Sequence, residues 1–294
     1  MITFLLLVAA SLLLVVAGLR ALEHKLIFFP CRYPDGFPPQ YNYEKEIENI
    51  WLRTADGLRI NAFYRHHPGS RQVILWLHGN AENIGYGLTP MRTLAEVGVN
   101  ILALDYRGYG RSEGKPSEAG VYHDADAAYD YLVKERHFRP DDVIVYGHSL
   151  GGAVAVNLAA RRPCGGLIVQ STFTNAREMT REIFALPLVG HLVKSRFDSE
   201  KRIRHVLAPI LIVHGTKDDV VPFAMGQKLF DAAPEPKRFY RMEGAGHNDM
   251  LEAGGEGFVA ALRQFLVDFV PEAPAGHSPP AVASSPSSAV SMNK

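Results

Sequence analysis

Short β-rich runs alternate regularly with helical patterns along the middle of the chain. Several runs are continuously apolar, such as Val-Ile-Leu-Trp-Leu at 73–77 and Ile-Leu-Ile-Val at 210–213. Strands that are buried on both faces of a parallel sheet have this composition, because helices cover both faces. The alternation therefore predicts an α/β fold with a doubly wound, mostly parallel, eight-stranded sheet and helices on both faces.

The predicted strands and helices follow one another closely. The runs predicted as strands are 47–53, 59–65, 73–77, 100–104, 143–146, 166–169, 210–213 and 237–242. The helical patterns are 84–97, 119–136, 150–160, 224–232 and 258–269. Asp56-Gly57 joins the first two strands and is a hairpin signal, so we expect the sheet to begin with an antiparallel pair. In such sheets, sites form beyond the carboxyl ends of the strands.

The N-terminus has the composition of a membrane segment. Residues 2–19 are an apolar run with no charged side chain before Arg20, and a membrane-spanning helix needs about 20 residues. We predict an uncleaved anchor over residues 1–22 rather than a signal peptide, because no basic side chain precedes the run and it exceeds the usual signal core. Arg20, Lys25 and Arg32 follow the run, which favours a cytoplasmic body but leaves the orientation open.

The rest of the composition is that of a globular protein. Residues 272–294 are mostly Pro, Ala and Ser, which predicts a disordered tail after a folded domain at 23–271. Apolar residues make up 47% of the chain, and 31 basic residues balance 31 acidic ones, so nothing indicates nucleic-acid binding. The two cysteines, Cys31 and Cys164, cannot form a disulfide framework. No His/Cys cluster has metal-ligand spacing, and we predict neither a metal nor a cofactor.

A glycine-flanked serine lies between the fifth predicted strand and an Ala/Val-rich helix. The motif is Gly-His-Ser-Leu-Gly at 147–151, which matches the nucleophile elbow Gly-x-Ser-x-Gly in its strand–turn–helix context. The tight turn forces an unfavourable serine backbone and leaves no room for side chains on the glycines. We predict Ser149 as a nucleophile at the positive end of a helix. The alternative is a glycine-rich turn with an idle serine.

A serine nucleophile needs an imidazole base and an acid that orients the imidazole. An acid is expected just after the seventh strand, where Asp218 and Asp219 stand, and a histidine after the eighth, where His247 follows Gly246. We predict Asp218 as the acid and His247 as the base. Asp219 remains the alternative acid, although it could instead cap the helix after Pro222.

The oxyanion of the reaction also needs hydrogen-bond donors. One is expected to be the backbone N–H of Leu150, which follows the nucleophile, and the other that of Asn80 or Ala81 in the loop after the third strand. His78 in the same loop is predicted to be structural. The alternative for this loop is an ordinary βα turn.

These motifs together resemble the α/β-hydrolase superfamily over about residues 45–270. The resemblance extends to a branch of membrane-anchored serine hydrolases that includes fungal bud-emergence-type proteins and protein depalmitoylases. It implies an enzyme in which Ser149, Asp218 and His247 act together, and in which Asp105 and Arg107 organise the floor of the site. The chain departs from this branch at Glu82, where glycine is common, and so adds a charge near the oxyanion loop.

The substrate is predicted from the segment between the sixth and seventh strands, where such enzymes carry a lid. Residues 171–207 allow only a short helical lid that is apolar around 186–193 and basic towards its end. A small lid beside an N-terminal anchor favours a membrane-associated hydrolase of carboxylic esters or thioesters with a lipid-like acyl group. The basic residues could equally be a solvated helix face. Two other functions stay open: a peptidase with the same triad, and a non-catalytic scaffold.

Overall fold

The computed structural model describes residues 27–33, 47–85, 88–184 and 194–270, together with Met1 and Gly18. Its centre is an eight-stranded sheet with the strand order β1-β2-β4-β3-β5-β6-β7-β8. The strands are β1 Ile47–Arg53, β2 Arg59–Arg65, β3 Val73–Leu77, β4 Asn100–Leu104, β5 Val143–His148, β6 Gly166–Gln170, β7 Ile210–Gly215 and β8 Lys237–Met242. β2 is antiparallel to both β1 and β4, and the remaining neighbours are parallel. The predicted sheet, including its antiparallel start, is confirmed.

Helices cover both faces of the sheet. They are α1 Leu88–Ala95, α2 Glu118–Asp130, α3 Leu150–Ala159, α4 Ala176–Phe184, α5 Ser199–Ile203, α6 Phe223–Ala232 and α7 Met250–Phe269. A single π-helical turn, Tyr131–Glu135, continues α2. Helix α7 begins eight residues earlier than the pattern predicts, and a break at Gly255, with φ 44°, divides it. Glycine tolerates that backbone conformation better than any other residue.

The side chains of the continuously apolar strands pack into two hydrophobic cores, one on each face of the sheet. In β3, Leu75 and Leu77 belong to one buried cluster, whereas Ile74 and Trp76 belong to the cluster on the opposite face. This division follows from the alternation of side chains along a strand. Burial on both faces holds the central strands rigidly, so the loops at their carboxyl ends start from fixed points.

Both predicted terminal segments lie outside the described residues, apart from Met1 and Gly18 of the anchor. Within the part of the chain that the structure describes, no helix is long and apolar enough to cross a membrane. The anchor at residues 1–22 and the tail at 272–294 therefore stay predictions.

Candidate active site

Three side chains from three loops meet above the carboxyl ends of the central strands. Ser149 follows β5, Asp218 follows β7 and His247 follows β8. The Nε2 atom of His247 lies 3.0 Å from Ser149 Oγ, and its Nδ1 atom lies 2.9 Å from Asp218 Oδ2 and 3.0 Å from Oδ1. A hydroxyl, an imidazole and a carboxylate thus form one continuous hydrogen-bonded chain. The three residues predicted from the sequence are brought together.

The turn that carries Ser149 is strained and tightly packed. Ser149 has φ 52° and ψ −115°, a conformation that is costly for a residue with a side chain and that the surroundings must enforce. A Cβ atom on Gly147 would lie 2.1 Å from the Gly151 oxygen, and one on Gly151 would lie 2.0 Å from the Leu77 oxygen. Thr172 stabilises the turn, because its hydroxyl donates to the backbone carbonyl oxygen of Ser149 over 2.7 Å.

The Asp218 side chain is completely shielded from solvent. The backbone N–H groups of Val220 and Val221 donate to its Oδ1 atom over 3.0 and 2.7 Å, and His214 Nε2 lies 3.3 Å from Oδ2. Burial opposes ionisation of the carboxyl, but hydrogen bonds from His214 and His247 outweigh it and hold the pKa of Asp218 below its usual range. Asp218 is therefore a carboxylate at neutral pH.

Asp219, the alternative acid, is exposed to solvent. The helix that it could have capped, α6, begins after Pro222 without a side-chain cap from any described residue. The contact of His214 with Asp218 is not predicted from the sequence. The feature that could have indicated it is the position of His214 at the carboxyl end of an apolar strand, four residues before Asp218.

The loop after β8 is tied to the loop after β7, which fixes the position of His247. The backbone N–H of Lys217 donates to the Ala245 oxygen over 2.9 Å, and the N–H of Gly244 donates to Thr216 Oγ1 over 2.9 Å. A Cβ atom on Gly215 would lie 2.3 Å from the Ala245 oxygen, so only glycine permits this approach. The acid and the base are thereby held by one pair of interlocked loops.

The loop after β3 lies beside Ser149, and its two candidate donors differ. The backbone N–H of Ala81 already donates to the Asn80 side-chain oxygen over 3.1 Å. No described residue accepts from the backbone N–H of Asn80. The N–H of Leu150 is the first in α3, and the first N–H groups of a helix have no intrahelical acceptor. The geometry therefore leaves Leu150 and Asn80, rather than Ala81, with N–H groups free for a ligand.

Glu82 stands where the similar branch commonly has glycine, and its side chain is paired with His148 of the elbow. Its Oε1 atom lies 3.3 Å from His148 Nδ1, and its Oε2 atom accepts from the Gly79 N–H over 3.2 Å. Burial disfavours both charged forms, but the hydrogen bond between the two side chains lowers the pKa of Glu82 to about 2 and raises the pKa of His148. The added carboxylate thus has a hydrogen-bond partner within the site.

A cavity of about 380 Å³ opens beside His247. Its wall combines apolar and aromatic side chains with polar ones, mainly Trp76, Leu94, Tyr146, His148, Gln170 and Asn248. This volume is within the range of small-molecule sites. The space next to His247 can therefore receive an organic ligand.

Several known proteins are similar to this chain over most of its length. An uncharacterized protein of Mycobacterium tuberculosis is 34% identical over 84% of this chain and 88% of its own. Protein bem46 of Schizosaccharomyces pombe is 32% identical over 87% of this chain and 89% of its own. Alpha/beta hydrolase domain-containing protein 17B of Xenopus tropicalis is 35% identical over 75% of each chain. The chain belongs to the α/β-hydrolase superfamily. Within that superfamily it is of the bem46 type.

A family model and two solved structures match parts of this α/β hydrolase. A family model described as "Serine aminopeptidase, S33" matches residues 68–199, which include the oxyanion loop and the elbow. An esterase of Pyrococcus furiosus superposes with a TM-score of 0.69 over 82% of this chain and 99% of its own, at 19% identity. An α/β hydrolase of Vibrio vulnificus superposes with a TM-score of 0.63 over 74% of this chain and 82% of its own, at 24% identity. These likenesses show the fold, and the family makes the protein an enzyme of the hydrolase type.

Buried polar side chains pack around the loop after β3. His78 is fully buried between Tyr106 and Tyr109, with ring centroids 4.6 and 5.4 Å away, which is the structural place expected for it. Asp105 accepts from the backbone N–H of Ile84 over 2.9 Å, directly after the oxyanion loop. Burial raises the pKa of Asp105 to about 7.

Arg107 joins the loop after β4 to two other parts of the fold. Its guanidinium is bonded to Asp124 of α2 at 2.9 Å and to Asp56 of the first hairpin at 2.8 Å. Asp105 and Arg107 thus hold the loops around the site rather than facing its open side.

Proposed function

We propose that this α/β hydrolase is a serine hydrolase that cleaves carboxylic esters or thioesters through an acyl-enzyme intermediate. Ser149 is the nucleophile, His247 is the general base and acid, and Asp218 orients His247. The backbone N–H groups of Leu150 and Asn80 bind the oxyanion. The observation that supports the proposal best is the unbroken hydrogen-bonded chain from Ser149 Oγ through His247 to the shielded Asp218 carboxylate.

The mechanism follows from the direction of these hydrogen bonds. His247 Nε2 takes the proton of Ser149 as its oxygen attacks the acyl carbon, and Asp218 stabilises the resulting imidazolium. The imidazolium then gives the proton to the leaving alcohol or thiol, and the acyl group stays on Ser149. Water next attacks the acyl-enzyme with His247 again taking a proton, and the acid product leaves as Ser149 regains its own. Both oxyanions form beside the two backbone donors, which need no rearrangement.

The substrate class is proposed from the cavity and from the N-terminal pattern. The cavity beside His247 has the size of a small-molecule site and an aromatic wall at Trp76 and Tyr146, which suits the apolar part of an acyl ester. Residues 2–19 would hold the domain beside a membrane. A lipid-like acyl group is therefore the preferred substrate, with the short lid at 171–207 leaving room for a bulky leaving group.

A series of p-nitrophenyl esters tests both levels of the proposal. We expect hydrolysis of esters with medium and long acyl chains, and we expect Ser149→Ala to lower kcat by on the order of 10⁴ to 10⁶. Activity confined to the acetate would refute the lipid-like substrate while leaving the esterase intact. Full activity in Ser149→Ala would refute the serine mechanism.

Amide hydrolysis is the second candidate, because the family model that matches residues 68–199 is described as a serine aminopeptidase. The same triad can cleave amides when His247 protonates a leaving amine. Turnover of aminoacyl anilides at rates comparable to those of the esters would favour this candidate. A scaffold without catalysis would hydrolyse neither kind of substrate.

A further inference from the structure

The short segment that follows the predicted anchor lies directly on the oxyanion loop. We call residues 27–33 the strap. Phe28 of the strap is buried, with its ring centroid 6.0 Å from that of Phe197, whereas the side chain of Phe29 is 55% exposed. The strap is therefore docked through the apolar side chains of Phe28 and Ile27, which pack against the core, and through its backbone.

The backbone of the strap holds both polar atoms of the Asn80 side chain. The N–H of Phe29 donates to Asn80 Oδ1 over 2.9 Å, and Asn80 Nδ2 donates to the Ile27 oxygen over 2.7 Å. The hydroxyl of Tyr109 also donates to Asn80 Oδ1, over 2.7 Å. These three hydrogen bonds together hold the Asn80 carboxamide in one orientation.

That orientation determines the backbone of the oxyanion loop. Asn80 Oδ1 accepts from the N–H of the next residue, Ala81, which has φ 57°. A positive φ is unfavourable for alanine and persists only where the surroundings enforce it. The Asn80 carboxamide oxygen thus accepts the hydrogen bond of the Ala81 N–H. It stabilises a turn in which the backbone N–H of Asn80 has no acceptor among the described residues.

The strap is joined to the same region at two more points. Asn83, at the other end of the loop, donates through Nδ2 to the Cys31 oxygen over 3.2 Å. The Cys31 oxygen also accepts from the N–H of Gly110 over 2.8 Å, and Arg32 Nε donates to the Gly108 oxygen over 3.1 Å. The strap thus spans the oxyanion loop and the loop after β4.

We propose that the strap is a working part of the active site, which fixes the Asn80 backbone N–H in the oxyanion-binding position by holding the Asn80 carboxamide. Ile27, Phe29 and Tyr109 contribute as positioning residues, since none of them touches the substrate. The inference rests on the proposed serine-hydrolase function and adds the N-terminal segment to its machinery. It also means that the chain leaving the predicted anchor is mechanically connected to the catalytic centre.

A matched pair of substitutions at Phe29 tests the inference in the full-length chain. Phe29→Pro removes the backbone N–H that donates to Asn80, and Pro30 already restricts Phe29 to extended conformations. Phe29→Ala removes the exposed side chain but keeps the N–H. The measurements are kcat and KM for a p-nitrophenyl ester and for its thionoester analogue, whose sulfur is a weak hydrogen-bond acceptor, together with the pH profile of kcat.

For Phe29→Pro we expect kcat for the ester to fall roughly tenfold at nearly unchanged KM, a fraction of the loss that follows removal of a whole oxyanion donor. The ratio of ester to thionoester kcat should fall by a similar factor, because the thionoester depends less on that donor. The midpoint of the pH profile should stay constant, because the contacts of His247 are untouched. Phe29→Ala keeps the N–H, so it should lose less kcat than Phe29→Pro and should retain the wild-type ratio of ester to thionoester kcat.

The other outcomes are equally informative. Wild-type kcat in Phe29→Pro would overturn the inference, and so would a fall in kcat with an unchanged ester-to-thionoester ratio, which indicates general loss of structure. If Phe29→Pro does not fold, Tyr109→Phe, which removes only a hydroxyl from the same carboxamide, decides by the same two criteria. A wild-type protein that hydrolyses no ester would refute the proposed function first, and the inference with it.

Discussion

Two adjacent aspartates, Asp218 and Asp219, have opposite environments on the loop after β7. Asp218 is shielded and bonded to His247, whereas Asp219 is exposed. We expect Asp218→Asn to lower kcat by on the order of 10⁴, because an amide stabilises neither the imidazolium nor its correct tautomer. Asp219→Asn is the matched control and should stay within about twofold of the wild type. Steady-state ester hydrolysis measures both, and the reverse ranking would assign the acid to Asp219.

The pair of Glu82 and His148 makes stability depend on pH. The pKa of Glu82 is lowered from 4.5 to about 2, so its stabilising contribution is present above about pH 4.5 and is lost as the pH falls towards 2. The pKa of His148 is raised above 6.5, so its contribution is present below about pH 6.5 and is lost as the pH rises through the raised value. The pair should stabilise the fold most between these limits.

Glu82→Gln should therefore reduce the free energy of unfolding more at about pH 5.5 than at about pH 9. Urea denaturation at both pH values measures the difference. Glu113→Gln is the control, because Glu113 pairs with Arg59 on the exposed surface, where ion pairs contribute little. An equal loss at both pH values in Glu82→Gln would show that the pair is not ionised in the folded protein.

At the scale of elements, the elbow depends on glycines that the packing of β3 against α3 requires. A Cβ atom on Gly151 would lie 2.0 Å from the Leu77 oxygen, so Gly151→Ala should destabilise the fold by about 1–3 kcal/mol. A Cβ atom on Gly257 of α7 would meet no described side chain closer than Tyr240 Oη, at 3.4 Å, and Gly257→Ala should stabilise the fold by about 0.5–1 kcal/mol. Thermal or urea unfolding compares the two, and equal effects would contradict the packing argument.

Hydrophobic patterns predict the bounds of strands and helices well where the local sequence alone determines those bounds. Five of the eight strands have their predicted bounds, and β5 runs two residues further because Gly147 and His148 still pair with β6. The first predicted helix begins late, at Leu88, because Asp105 and Asn83 accept from the N–H groups of Ile84 and Gly85 instead. Such side-chain contacts cross long stretches of sequence and leave no periodic signal.

At the scale of the whole molecule, the site is assembled from loops after β3, β5, β7 and β8, together with the strap. The order of serine, acid and histidine along the chain was enough to predict Ser149, Asp218 and His247, although the sequence contains no information on the distances between them. The contacts of Asn80 with Ile27 and Phe29 join positions more than 50 residues apart. No local pattern indicates them, because nothing in the sequence of the strap differs from an ordinary connecting segment.

The central claim is that His247 activates Ser149, and covalent labelling by a fluorophosphonate tests it most directly, since such probes react with activated serines. Intact-mass and peptide analysis of the labelled full-length chain should place a single adduct on Ser149. The adduct should be absent in Ser149→Ala and greatly slowed in His247→Gln. A wild-type chain that resists the probe, or labelling that persists at the same rate without the imidazole, would contradict the claim.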